Sequence, residues 1–196
     1  LDVNTYDRCI TRGLPGAMMP GFYNHNYQIL QTREYVAILV EMIHEARIIP
    51  IDGRPHLSPR MKQWMGDSRG RWEGQTLVVE TRNFNNKIDE VTGNVMRFPN
   101  GEPQGPDRYH GVFGTPGMKL VERFTRVDAN TIDYQFTVDD PNTFVKPWTA
   151  LAPLTKLNGN VYEYACHEGN RAIPNMLSGA RADEQARAAQ QKSGSR

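Results

Sequence analysis

Apolar and polar positions alternate along most of this chain, and the alternation predicts strands. "YQILQT" (residues 27–32) and "YVAILVEMI" (35–43) read as two strands joined across Arg33-Glu34 at hairpin spacing. "ARIIPID" continues as a further strand, where Pro50 argues for an edge or a bulge and Asp52-Gly53 supplies a turn. "QTLVVETRNF" is a β-branched strand. "MKLVERFTRV" and "NTIDYQFTV" flank Asp128-Ala129-Asn130 as a hairpin in which Ile132, Tyr134, Phe136 and Val138 share the core face. "TFVKPWTALAPL" and "VYEYAC" predict two more strands around an Asn158-Gly159 turn.

Three stretches break the pattern. "RGLPGAMMPGFYNHNY" reads as an irregular lead-in, and "HLSPRMKQWMGDSRGRWEG" is turn-rich and carries Trp64 and Trp72. Residues 83–118, dense in Gly and Pro with no clear period, predict a long excursion over the mouth of the domain. The tail "IPNMLSGARADEQARAAQQ" predicts a helix with Pro174 near its start and a frayed "KSGSR" end. Seven or eight short strands with no βαβ alternation give a mainly β class, an antiparallel up-and-down barrel (lipocalin-like) or a sandwich. The expected organisation is an irregular segment over 1–27, a β domain over 28–168 and a C-terminal helix and tail over 169–196.

Composition narrows the partners. A chain of 196 residues suits one domain, and 23 Lys+Arg against 22 Asp+Glu, with the signs interspersed, gives no footprint for nucleic acid or an anionic membrane. No apolar run reaches the roughly 18 residues of a spanning helix, so membrane insertion is not expected. A small-molecule ligand is the expected partner, and homo-oligomerisation stays open. Cys9 and Cys166, the two cysteines, bracket the strands. They are either a disulfide that ties the ends together in an oxidising compartment or two buried thiols.

Several blocks, "YQILQTREYVAILVEMIHEARIIPIDGRPH", "GDSRGRWEGQTLVVETRNF", "VERFTRVDANTIDYQFTVDDP" with "KPWT", and "YEYACHEGN", together resemble a large family of exported, β-rich, uncharacterised proteins of soil-type bacteria. The resemblance spans roughly residues 6 to 170. It implies a leader peptide on the precursor, a secreted or periplasmic location and, with it, the disulfide. It implies no activity. "GRWEG" and "ERFTRVD" are also loosely similar to lipocalin strands, a likeness of fold alone.

Candidate chemistry gathers in residues 40–56. Val40 stands where H-e-x-x-H would need its first histidine, so the helical zinc motif is absent. An extended 36–48 would put His44 on the apolar face with Val36, Ile38, Val40 and Met42, and Arg47 on the opposite face. His44 then reads as a general base or acid, or as a satisfied interior histidine. Arg47 and Arg54 suit a carboxylate or sugar hydroxyls, and His56 follows the Gly53 turn toward the same space. Tyr109 and His110, on the long excursion, would close over a substrate. No metal is expected; were one bound, His44, His56 and His110 would be its ligands. Glu122, between Leu120 and Phe124, is either the partner of an arginine such as Arg47, Arg123 or Arg126 or a carboxyl with a raised pKa. Trp64 and Trp72 are candidate cavity walls.

These features predict an exported enzyme, a lyase, isomerase or hydrolase, using acid/base chemistry on an oxygen-rich or carbohydrate-derived substrate. The alternatives are a lipocalin-like small-molecule binding protein and a subunit of an extracellular assembly. Convergence of His44 and His56 on one void separates the first from the others.

Overall fold

Two antiparallel sheets carry the chain. The computed structural model describes residues 5–6, 8–21, 23–87 and 115–194. The first sheet has the order β1 (Tyr27–Gln31), β2 (Tyr35–Val40), β3 (Ala46–Pro50). The second runs β4 (Asp67–Glu73), β5 (Thr76–Arg82), β6 (Lys119–Arg126), β7 (Thr131–Asp139), β8 (Trp148–Leu151), with β9 (Leu154–Thr155) also pairing β7. A single helix, α1 (Ala172–Gly194), follows. The mainly β class holds. Among the described residues no ladder joins β3 to β4, or β1 to β8 or β9, so the pairing does not close a barrel.

One core is shared by both sheets. Val36, Ile38 and Val40 of β2 and Ile49 of β3 pack with Leu77 and Val79 of β5, Leu120 and Phe124 of β6, and Tyr134, Phe136 and Val138 of β7. Each such side chain, fully buried, contributes about 1.5–3 kcal/mol. Trp148 of β8 meets Phe136 and Phe144 edge-on, with ring centroids 5.6 and 5.7 Å apart. The N-terminal segment is irregular but not peripheral, because Leu14, Ala17 and Met18 enter this core around a 3-10 turn at Gly16–Met18.

Three local readings need correction. Residues 36–48 are not one strand: a 3-10 turn at Met42–His44, with Ile43 and His44 at φ 64° and 48°, ends β2 and resets the alternation. Arg47 and Ile49 therefore turn inward while Ile48 is exposed. β4 arises inside the stretch expected to be turns, with Gly70 obligatory there because a Cβ would sit 2.7 Å from Ile51 Cγ2 and 3.0 Å from Ile49 Cγ2. "VYEYAC" forms no strand. Of the excursion 83–118, residues 88–114 lie outside the described residues, and Tyr109 and His110 with them.

The two ends are covalently joined, since Cys9 and Cys166 form a disulfide across 157 positions. Around it, His44 Nδ1 lies 3.1 Å from the Tyr164 carbonyl, and the Tyr23 and Tyr164 rings stand 6.4 Å apart.

Candidate functional site

The sequence-predicted residues do not assemble into one site. His44 is exposed, and its Nδ1–H donates to the Tyr164 carbonyl, so the ring belongs to the terminal clasp. His56 is fastened through both nitrogens, with Nδ1 2.9 Å from Asp67 Oδ2 and Nε2 3.3 Å from Glu80 Oε1. The Leu57 N–H donates to the same Asp67 oxygen at 2.9 Å, so this ring pins the loop after β3 onto β4 and β5. The two histidines share no partner, and neither lines either of the clefts described below.

The other candidates have structural partners. Arg54 donates to the Asp52 carboxylate and, at 2.9 Å, to the Tyr35 hydroxyl, with its guanidinium 5.4 Å from that ring's centroid. Arg47 and Glu122 meet inside the core: Nη1 and Nη2 donate to the two carboxylate oxygens at 3.0 and 2.5 Å, and the Tyr134 hydroxyl donates to Oε1 at 2.9 Å. Glu122 is thus the partner of an arginine, one of the outcomes its position allowed. Burial pushes the Tyr134 phenol well up, reinforced by the Glu122 charge. Trp72 is exposed, Trp64 is half-buried, and neither lines a cleft. Among the described residues no cluster of three His, Cys, Asp or Glu side chains could hold a metal ion.

What the structure does offer is a cleft at each seam between the sheets. The smaller, of about 380 Å³, lies between β3 and the start of β4 and is bordered by Arg54, Leu57, Met65 and Arg69. The larger, of about 1030 Å³, lies between β1 and β9 and is lined by Tyr27, Gln28 and Ile29, by Arg126 and residues 128–132 of the β6–β7 turn, and by residues 152–157 and 159–162.

Ladder geometry explains what the larger cleft presents. The Thr32 N–H donates to Tyr35 and the Glu41 N–H to Asn26, which places the even-numbered residues of β1 in hydrogen bonds with β2. Tyr27, Ile29 and Gln31 therefore turn their N–H and C=O groups away from β2. On the other wall the Ala152 and Lys156 N–H groups donate to Tyr134 and Asn130, so Thr155 and Leu157 turn theirs away from β7. Side chains of Gln28, Asn130, Thr131, Thr155, Asn160 and Tyr162 add amides and hydroxyls.

No family model matches the chain, and no curated protein or solved structure does either.

Among the described residues the cleft contains one imidazole, His25, which sequence reasoning left among the uncommitted histidines because "FYNHNY" carries no motif. Arg12 Nη1 donates to His25 Nε2 at 2.7 Å, which fixes the neutral tautomer with its proton on Nδ1. Burial lowers the pKa of this ring, and the Arg12 charge lowers it further. Gly21 leaves room for the ring, since a Cβ there would sit 1.9 Å from Nε2. Tyr27, at the edge of the cleft, is pushed up to about 12 by burial. Near neutrality the site thus offers a neutral imidazole, a phenol that stays protonated, amides, and the charges of Arg126, Lys156 and Asp128.

Proposed function

We propose that the chain is an exported binding protein that holds a small, oxygen-rich, carbohydrate-derived ligand in the cleft between β1 and β9. The observation that carries this reading is the combination of an open trough edged by two rows of main-chain hydrogen-bonding groups with an imidazole whose one basic nitrogen already accepts from Arg12. Hydroxyl-rich ligands satisfy amides, hydroxyls and peptide groups together, and an open shape suits an elongated one. We read the two sheets as halves of an opened, lipocalin-like barrel whose seams are the clefts.

Binding is favoured over acid/base catalysis because a base needs a free lone pair within reach of the substrate. Nε2 of His25 has none to offer, and the rings of His44 and His56 are engaged elsewhere. Export is supported by the Cys9–Cys166 disulfide. None of the described helices is long and apolar enough to cross a membrane. Calorimetric titration against a panel of short oligosaccharides, with chromatography of the recovered ligand, tests the reading. Saturable binding with the ligand recovered intact is expected. Conversion of the ligand would restore the lyase or hydrolase reading, and failure of every member to bind would remove the carbohydrate.

A further inference from the structure

Arg126 and Lys156 stand out by what they lack. Arg69, Arg71, Arg82 and Arg123, the other arginines of the six-stranded sheet, each lie within ion-pairing distance of a carboxylate. Arg126 of β6 donates its Nε–H to the Asp128 carbonyl at 3.0 Å and makes no ion pair among the described residues, which leaves the terminal fork of its guanidinium without a carboxylate. Lys156 makes no ion pair there either, and its backbone is tied by its N–H to Asn130. Both cations line the larger cleft. Among the described residues Asp128 is the one carboxylate on that lining; it accepts the Asn130 N–H at 2.7 Å, and those residues leave the cleft a surplus of one positive charge with His25 neutral.

We propose that the ligand is anionic: a short saccharide bearing carboxylate groups, with a carboxylate taken by the Arg126 fork and by Lys156, and with its hydroxyls along the β1 edge. The inference rests on the binding role assigned to this cleft. A guanidinium presents two parallel N–H donors that match a carboxylate, while an ammonium supplies a point charge without that geometry. Tyr27 and Ile29 turn peptide N–H groups toward the seam, which suits hydroxyl and ring oxygens. Amide side chains at Gln28, Asn130 and Asn160 fit a polyhydroxylated chain better than an acidic peptide, whose side chains bring no hydroxyls for them to read.

The test uses the full chain and tetramers of galacturonate, glucuronate and mannuronate, each beside its methyl ester, which removes the charge and adds one methyl group per residue while keeping the hydroxyls. At least one acid should bind about tenfold or more tighter than its ester, and the ratio should shrink as salt rises from about 50 to about 300 mM. Arg126→Ala should bring the ratio close to one; Arg126→Lys, which keeps the charge but not the fork, should give an intermediate value. Both variants must retain the parent's unfolding midpoint. Equal binding of acid and ester would overturn the charge assignment and leave the binding role standing. Absence of binding by acids, esters and neutral oligosaccharides alike would overturn both. Binding of hexaglutamate in preference to every saccharide would replace the sugar with a peptide.

Discussion

Arg47 of β3 grips Glu122 of β6 through two parallel hydrogen bonds, and this contact crosses the core from one sheet to the other. The desolvation of both charges is offset only while the pair stays complete, and the Tyr134 hydroxyl completes it. Glu122→Leu, which strands the guanidinium, should cost about 3–5 kcal/mol in urea unfolding. The combined Arg47→Met, Glu122→Leu, Tyr134→Phe chain should recover most of that. A loss below about 1 kcal/mol for Glu122→Leu would mean that water already reaches the pair.

The disulfide joins residues 157 positions apart in sequence, and the chain-entropy model gives it a ceiling of about 5 kcal/mol. Reduction, or Cys9→Ala with Cys166→Ala, should lower the thermal midpoint by several degrees or more. An unchanged midpoint would mean that the irregular segments around residues 9 and 166 hold together through their other contacts alone.

Strand existence was legible in the sequence wherever one face is apolar and the other polar, as in Ile132, Tyr134, Phe136 and Val138. The turn at Met42–His44 was not legible, because "EMIHE" prolongs the alternation and contains neither Gly nor Asn to announce positive φ. Burial of Met42 and Ile43 sustains a backbone that local preference disfavours. That turn moved Arg47 inward and His44 outward, and with them the predicted site. β4 was hidden for the opposite reason: Arg69, Arg71 and Glu73 give it the composition of a loop, and its pairing with β5 is a tertiary fact. The cleft was illegible as a unit because its walls, around residues 25–29, 128–132 and 152–157, meet only in the fold.

His25 sets a pH dependence of definite sign. Its folded pKa lies below the unfolded value of about 6.5, so below that pH the unfolded ring binds protons more readily and stability falls as the solution is acidified. His25→Gln, whose amide oxygen can accept from Arg12, should lose less stability than the parent between about pH 7.5 and about pH 5. Identical losses, read from urea midpoints, would place the titration elsewhere.

Glu45 acts in the opposite sense. Burial raises its pKa, although the Thr11 hydroxyl donates to Oε2 at 2.6 Å and Arg47 adds a favourable charge. Its contribution is fully present below the unfolded carboxyl value and is lost as pH rises through the folded one. Glu45→Gln should therefore gain stability relative to the parent as pH climbs from about 4 to about 8. A difference that does not move with pH would contradict the buried-carboxylate account.

Where the ligand lies can be read directly from amide chemical shifts of the labelled protein, titrated with whichever oligosaccharide binds. The largest changes should fall on Tyr27, Gln28 and Ile29 of β1 and on Asn130, Thr131, Thr155 and Asn160 across the cleft. Changes centred on Arg54, Leu57 and Arg69, around the smaller cleft at the other seam, would contradict it.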